Sequence, residues 1–273
     1  MNIHLVTVVG KYAALLPDML RHYQALGVTS FHVHIHASDQ DDPIIEQVYQ
    51  AALRFGIEVA SLTIAPWSEC INPMLYRISR QKWPDDWFIM ADQDEFQHYS
   101  DPVSEVARYC EGHNYDYVEG CVVDRVAKSG MLEPVLPDIA LPGQFPIGVL
   151  LSGALLGSVI NKVVLCKGRV KVGPGQHFAH SGAGCPISEF YVPVFHYKWV
   201  ADLLTRLHAR IVEQQYLGEG LWQENARFLN HYLQHGRIIT EDPQFHAGLC
   251  DPDYPHWPRI IEYRMASEFF RRF

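Results

Sequence analysis

The sequence predicts an α/β fold with a mainly parallel central sheet that is flanked by helices. Three observations lead to this prediction. Short apolar segments alternate with segments of helical periodicity up to about residue 100, and glycines follow the helical segments. The composition is that of a globular protein, with 48% hydrophobic and 19% charged residues in a chain of 273. A chain of this length can form one large core.

The amino-terminal elements follow one another as strand, helix and strand. Residues 3–9 are apolar and rich in β-branched side chains, which is typical of a buried parallel strand. Apolar residues at helical spacing follow in 13–26, and Gly27 then provides a helix end. The same pattern predicts further strands at 31–36, 57–64 and 87–91 and further helices at 43–55 and 70–82.

The pattern is weaker in the second part of the chain. From residue 117 to about 193, proline and glycine are frequent, and we expect loops with antiparallel or edge strands there. Helical periodicity returns in 199–216 and 220–235. A proline-rich tail at 251–258 is expected to precede a last short helix.

Charge and cysteine content exclude several classes of protein. The net charge of -9 argues against a broad phosphate-binding surface, so we expect no nucleic-acid partner. The six cysteines are scattered and contain no Cys-x-x-Cys pair, which predicts reduced thiols, mostly buried, rather than a zinc knuckle or a disulfide framework.

The sequence also predicts where the protein resides. The amino terminus has no basic segment followed by an apolar run, which favours a cytoplasmic protein. Residues 141–161 carry no charge, but their prolines and glycines argue against a spanning helix. We read this segment as loop and strand, with a peripheral contact at the inner membrane face as a minor alternative.

Three carboxylates follow the fourth predicted strand. Asp92, Asp94 and Glu95 come directly after the apolar segment 87–91. Open α/β sheets bind ligands at the carboxyl ends of their strands, and Mg²⁺ or Mn²⁺ prefers oxygen ligands, including those of a substrate phosphate. The cluster therefore predicts a metal-diphosphate site, and a solvated acidic turn is the structural alternative.

Residues 92–96, which read Asp-Gln-Asp-Glu-Phe, resemble a family signature. With the preceding strand, they are similar to the D-x-D-E-F segment of family 2 type glycosyltransferases of GT-A fold, especially of a bacterial group. The resemblance covers about residues 3–100 and is patchy beyond. It implies a single GT-A domain in which residues 1–100 bind a nucleotide-diphosphate sugar and residues 101–273 bind the acceptor.

The resemblance also implies the reaction and the metal site. A hexose would pass from a uridine or guanosine diphosphate sugar to a glycan or lipid-linked acceptor, with inversion. Asp92 and Asp94 would hold Mn²⁺ or Mg²⁺, with Asp94 favoured as the direct ligand, and Asp92 would lie at the donor diphosphate. Glu95 would act in catalysis by orienting a neighbour or the acceptor. A histidine from the C-terminal half, His196 or His177, would complete the metal shell.

Contacts with the donor nucleotide are implied at other strand ends. Val8, Lys11 and Asp39 would lie near the nucleoside, and Lys198 could neutralise the diphosphate. The family often has an acidic residue shortly after the position of Lys11, and this chain does not, which leaves the base contacts open.

An inverting transferase also needs a group that accepts the proton of the acceptor hydroxyl. Asp124, in the segment Val-Asp-Arg-Val-Ala that resembles the same bacterial group, is the first choice for this base. Asp138 and Glu189 are the competing choices.

Two alternatives come from other classes. His32, His34 and His36 alternate along the second strand, so their imidazoles share one face, which suggests a zinc-dependent hydrolase. A GT-A-like module that binds a glycan without turnover is the third hypothesis.

Overall fold

The computed structural model describes residues 1–68, 70–216 and 222–245. The chain forms two compact units. The first contains Met1–Cys121 and Asn161–Val194, and the second contains Val122–Ile160 and the described residues from Phe195 onward. The functional division near residue 100 stays a prediction. The predicted start of the last long helix at residues 220–221, the proline-rich tail and the final short helix lie outside the described residues.

The described elements in chain order are β1 (Ile3–Val9), α1 (Leu16–Ala25), β2 (Ser30–Ala37), α2 (Ile44–Arg54), β3 (Val59–Ile64), α3 (Ile71–Gln81), β4 (Trp87–Met90), β5 (Glu95–Gln97), α4 (Val103–Gly112), β6 (Tyr117–Val126), α5 (Leu141–Gln144), β7 (Ile147–Val149), α6 (Leu151–Ala154), β8 (Asn161–Lys167), β9 (Val192–His196), α7 (Leu203–Tyr216) and α8 (Trp222–His235).

The first unit is built on a parallel sheet. Strand β1 pairs in parallel with both β2 and β4, and β2 pairs in parallel with β3. Beyond β4 the sheet becomes antiparallel, through β8 and β6, and the full order is β3-β2-β1-β4-β8-β6-β9-β5. This architecture confirms the predicted class, an α/β fold with a mainly parallel sheet flanked by helices.

Burial explains why the amino-terminal segments form these elements. All seven residues of β1 are buried, as expected of a strand between two helical layers. Helix α1 buries Leu16, Met19, Leu20 and Tyr23 at helical spacing, and Gly27 follows it with a φ of 85°. That left-handed conformation favours glycine and ends the helix.

Strand β6 requires a glycine in its interior. A Cβ on Gly120 would overlap the carbonyl oxygen of Val192 in β9. Strand β6 can therefore lie this close to β9 only because residue 120 has no side chain. In the second unit, the last residues of β6 pair antiparallel with β7, with Asp124 opposite Val149.

The second unit has its own core. Helices α7 and α8 pack around Trp199 and Phe228, whose ring centroids lie 4.5 Å apart. Residues 141–161, which raised the question of a membrane contact, are short helices and strands up to the start of β8. In the described ranges, no helix is long and apolar enough to cross a membrane.

The cysteine prediction is confirmed for the five cysteines that the structure describes. Each is a free thiol, and all of them except Cys70 are buried. Cys250 lies outside the described residues.

Candidate functional site

The acidic cluster lies at the carboxyl end of β4, as predicted. Ala91 is buried and donates its N–H to Val6 of the neighbouring strand at 3.3 Å. After it, Asp92 and Asp94 are half-buried and alternate with the buried side chains of Gln93 and Glu95. The Glu95 N–H donates to the carbonyl oxygen of Asp92 at 2.9 Å, so residues 92–95 form a turn between β4 and β5 rather than an extension of the strand.

A tyrosine of α3 holds Asp92. The hydroxyl of Tyr76 donates to Asp92 Oδ1 at 2.9 Å, and the Asp92 N–H donates to Glu95 Oε2 at 3.3 Å. Burial, and then the charge of Asp92, raise the pKa of Tyr76 well above its ordinary value, so the phenol keeps its proton and remains a donor. Sequence reasoning did not identify Tyr76, because its partner is set by helix packing.

Gln93 joins the cluster to the loop after β1. Its amide donates a short hydrogen bond to the carbonyl oxygen of Tyr12. Its Oε1 is buried and has no hydrogen-bond partner in the part of the chain that the structure describes. A buried amide oxygen of this kind normally accepts a hydrogen bond, so it is available to a water or to a ligand donor.

Glu95 forms a buried ion pair with Lys162 of β8. Lys162 Nζ lies 2.6 Å from Glu95 Oε1, and the two side chains are only 8% and 6% exposed, respectively. The ammonium also donates to the carbonyl oxygen of Gly175 at 2.9 Å and to Gln176 Oε1 at 3.3 Å. Burial alone would lower the pKa of Lys162, but the charges of Glu95 and Asp92 raise it above its ordinary value. Lys162 was not among the predicted site residues.

His177, one of the predicted metal ligands, lies near Lys162 in the first unit. Its Nδ1 bonds to the carbonyl oxygen of Asn161 at 2.9 Å. Burial and the nearby Lys162 charge lower the pKa of His177 to about 4, although the bond to Asn161 opposes them. The imidazole is therefore neutral at pH 7, with Nε2 as its acceptor nitrogen, which is the form a metal ligand requires.

The residues predicted at the nucleoside lie at adjacent strand ends. Val8 of β1 is buried and aligns with His34 of β2. Lys11 follows β1 with a φ of 61° and lines, with residues of α2, a pocket of about 630 Å³. Asp39 is exposed after β2, and its Oδ1 accepts the N–H of Asp41 at 2.9 Å. Their contacts with a nucleoside stay predictions.

Asp124, the predicted base, lies in the second unit and is 0% exposed. Its Oδ2 accepts the N–H of Ser152 at 2.6 Å, and its Oδ1 accepts the Ser152 hydroxyl at 2.8 Å and the Trp199 indole N–H at 2.9 Å. His196 Nδ1 lies 3.0 Å from the same Oδ1. These contacts fix the orientation of the His196 ring, and the base role of Asp124 stays an untested prediction.

The other predicted residues are more exposed. Lys198 is half-buried, and its Nζ lies 5.4 Å from the Trp199 ring centroid. Asp138 is exposed in the second unit, and Glu189, in the first, accepts the hydroxyl of Tyr109 at 3.0 Å. The structure thus brings Asp92, Asp94, Glu95 and His177 into the first unit and Asp124, His196 and Lys198 into the second.

The structure shows that the zinc site predicted from His32, His34 and His36 is wrong. His34 Nδ1 and Nε2 bond to the hydroxyls of Ser61 and Ser79, at 2.7 and 2.8 Å. His36 bonds to a backbone carbonyl oxygen of the loop after β3 at 2.9 Å, and His32 bonds to His4 at 3.0 Å. The imidazoles share a face, as predicted, but each has a separate partner and they do not form a common ligand set.

The divalent metal implied by the family resemblance would need a site that substrate phosphates complete, rather than a site of protein ligands alone. Among the residues that the structure describes, no group of three or more His, Cys, Asp and Glu side chains is arranged to hold a metal ion. Mg²⁺ is commonly held by one or two carboxylates together with substrate phosphates rather than by a full set of protein ligands. The half-buried pair Asp92 and Asp94 fits that second arrangement.

Comparison with known proteins gives remote structural likeness. No protein-family model matches the sequence, and no curated protein matches it. S. aureus TarS, residues 1–349, aligns over 89% of this chain and 77% of that chain with 11% identity and a TM-score of 0.42. The same TarS segment in complex with UDP aligns over 86% of this chain and 72% of that chain, with 11% identity and a TM-score of 0.38.

A third solved structure is a Bacillus anthracis protein assigned as a glucose-1-phosphate thymidylyltransferase, in complex with a sucrose. It aligns over 86% of this chain and 85% of that chain, with 11% identity and a TM-score of 0.29. These three scores are too low to support a function for this chain, and its proposed function rests on its own residues.

Proposed function

We propose that this chain is a metal-dependent glycosyltransferase of GT-A type that uses a nucleotide-diphosphate sugar as donor. The observation that supports this most strongly is the position of Asp92 and Asp94 at the carboxyl end of a central parallel strand. Ligand sites of open α/β sheets form at this edge. Two half-buried carboxylates there suit a diphosphate bridged by a divalent cation.

The neighbouring residues support a rigid site. Tyr76 fixes one oxygen of Asp92, and Gln93 ties the cluster to the loop after β1. Glu95 is buried against Lys162, so in this proposal Glu95 is a positioning residue that holds the Asp92 backbone rather than a group that contacts the donor. The ion pair also removes one negative charge from the edge that receives the diphosphate.

Mn²⁺ or Mg²⁺, held by Asp92 and Asp94, would neutralise the charge that develops on the departing nucleoside diphosphate. Lys11 and Asp39 would bind the nucleoside from the adjacent strand ends. Inversion and a glycan or lipid-linked acceptor follow from the family resemblance and are part of the proposal.

The acceptor side is proposed to use the second unit. Asp124 remains the proposed base, and its contacts with Ser152 and Trp199 give a competing role as the residue that positions His196. The two roles predict different properties for an Asp124→Asn variant, because the positioning role affects the stability of the unit as well as turnover.

Binding of nucleoside diphosphates tests the donor part of the proposal. A bound ligand raises the thermal midpoint by mass action, so UDP or GDP should raise it in the presence of Mn²⁺ and much less without the metal. The Asp94→Asn variant should lose this shift. The matched control is Asp101→Asn, which changes an exposed carboxylate a few residues away.

The contradicting results are equally specific. No shift with any nucleoside diphosphate, with or without Mn²⁺, would remove the donor proposal. An Asp94→Asn protein with the same metal-dependent shift as Asp101→Asn would remove the metal assignment and leave the nucleotide site.

A further inference from the structure

A groove with a cavity volume of about 890 Å³ runs beside α3 in the first unit. One wall comes from α3, with Met74, Arg77 and Arg80, and the other comes from the segment after β8, with Arg169, Val170 and Lys171. We call this feature the α3 groove. It contains none of the residues proposed to bind the donor or the acceptor.

The α3 groove is positively charged in an acidic protein. Two arginines of α3 and two basic residues of the facing segment line it, and none of its lining residues is Asp or Glu, although the chain has a net charge of -9. Arg169 forms ion pairs with Asp85 and Asp116. Arg77 and Lys171 are exposed, and neither has an ion-pair partner among the described residues.

A buried arginine with an unused donor is the second observation. Arg80 is only 6% exposed, and its Nη1 donates to the carbonyl oxygen of Val170 at 2.6 Å. Its Nε has no hydrogen-bond partner in the ranges that the structure describes. Leaving a guanidinium N–H unsatisfied in a buried position is costly, and the guanidinium adds a buried positive charge to the lining of the groove.

Apolar side chains accompany these charges. Met74, which lines the groove, is 39% exposed. Ile78 of α3 and Trp83, which lie outside the groove lining, are 44% and 38% exposed, and the Trp83 ring packs on His4. A small hydrophilic anion would not contact this apolar surface, and a neutral lipid would leave the arginines without a counter-charge. Tryptophan beside basic residues is typical of surfaces that meet the headgroup region of a membrane.

We propose that the α3 groove binds the headgroup of an acidic phospholipid and docks the protein on an anionic membrane surface. The lipid phosphate would lie between the basic residues, and the adjoining chain would contact the exposed side chain of Met74. The proposal does not depend on transferase activity. Docking through the α3 groove would place the proposed transferase site at the membrane surface, because α3 also carries Tyr76, which donates a hydrogen bond to Asp92.

Sedimentation with lipid vesicles tests this site. The full chain should sediment with vesicles that contain phosphatidylglycerol and not with vesicles of phosphatidylcholine alone. Each basic residue near an anionic surface contributes roughly a five-fold gain in binding, so the double variant Arg77→Gln/Lys171→Gln should bind about 30-fold more weakly. The matched control is Arg21→Gln/Arg108→Gln, which removes two exposed arginines from α1 and α4.

The outcomes separate the proposal from its alternatives. Retained binding by the control, together with the loss in the α3 groove variant and an unchanged thermal midpoint in both, would support the site. Equal loss in the two double variants would show general charge attraction and overturn it. Equal binding of the wild type to both kinds of vesicle, or binding to neither, would also overturn it, and a Met74→Ser variant with full binding would remove the apolar part.

Discussion

The buried pair of Glu95 and Lys162 gives the sharpest prediction for stability. Replacing Glu95 by Gln, or Lys162 by Met, leaves one buried charge without its partner. Replacing both removes the charges together. We therefore expect each single variant to be strongly destabilised and the double variant to be close to the wild type.

The size of the effect follows from the geometry. At 2.6 Å and an effective dielectric constant of about 20, the attraction is about 6 kcal/mol, which is opposed by several kcal/mol for removing each ion from water. The net value of the pair is therefore small, but a partner left alone costs about 3–5 kcal/mol. The double variant should lose only about 1–2 kcal/mol, because Gly175 and Gln176 lose their donor.

Urea unfolding of the four proteins measures this as a double-mutant cycle. The coupling energy should be at least about 3 kcal/mol. The matched control is the exposed pair Glu105 and Arg108 of α4, whose atoms lie 2.5 Å apart and whose coupling energy should be below about 0.5 kcal/mol.

Additive losses would refute the buried pair. If each single variant loses less than about 1 kcal/mol, or if the double variant loses the sum of the two single losses, Glu95 and Lys162 do not form a buried pair in solution. Equal coupling energies for the buried pair and for the control pair would have the same meaning.

Three further variants and one titration test other parts of the structure. Asp124→Asn should lose about 3 kcal/mol of stability, because an amide cannot accept all the hydrogen bonds that the buried carboxylate accepts; a fully stable variant with impaired turnover would instead support the base role. Gly120→Ala should lower the denaturation midpoint markedly, because its Cβ would overlap the Val192 carbonyl oxygen. Gly112→Ala, at the end of α4 with open space around it, should instead raise the free energy of unfolding by as much as about 1 kcal/mol. Equal midpoints for the Gly120→Ala and Gly112→Ala variants would contradict the packing around Gly120. Burial, and then a nearby lysine charge, lower the pKa of His34 from 6.5 to about 4, so its contribution to stability is present above pH 6.5 and lost as the pH falls towards 4. A His34→Gln variant should show a smaller loss of unfolding free energy over that pH range, and an unchanged slope would contradict the assignment.

The parallel part of the fold could be predicted because its signals are local. Each strand from β1 to β4 is a short apolar segment, and each helix between them shows its own periodicity. The bounds differ by a few residues; the helix predicted at 13–26 is Leu16–Ala25, and the strand predicted at 57–64 is Val59–Ile64. Helix ends depend on capping contacts, which periodicity does not show.

The antiparallel strands could not be placed from the sequence. Strands β6 and β8 pair across a long connection, with Gly120 opposite Lys162, so no local pattern shows their register. One signal for Lys162 was present, because it directly precedes the four apolar residues Val163–Cys166 of a buried strand. A lone lysine in such a position needs a buried partner, and that requirement points to a nearby carboxylate.

The histidine strand shows a different limit. Strand alternation predicted correctly that His34 and His36 share a buried face. It did not predict that Ser61 and Ser79 would occupy both nitrogens of His34, because those partners come from β3 and α3. Alternation along a strand predicts which face of the sheet a side chain occupies. It does not predict the contacts of that side chain, because these depend on the elements that pack against the face.

Our main proposal is that Asp92 and Asp94 hold the metal that binds a nucleotide-diphosphate sugar for transfer. The decisive measurement is the Mn²⁺-dependent release of nucleoside diphosphate from UDP- and GDP-sugars by the wild type, Asp94→Asn and Asp101→Asn. The proposal predicts turnover that needs the metal, a loss of at least about 100-fold in Asp94→Asn and none in Asp101→Asn. Full metal-dependent turnover by Asp94→Asn would contradict the proposal, and nucleotide binding without any turnover by the wild type would favour a non-catalytic glycan-binding module.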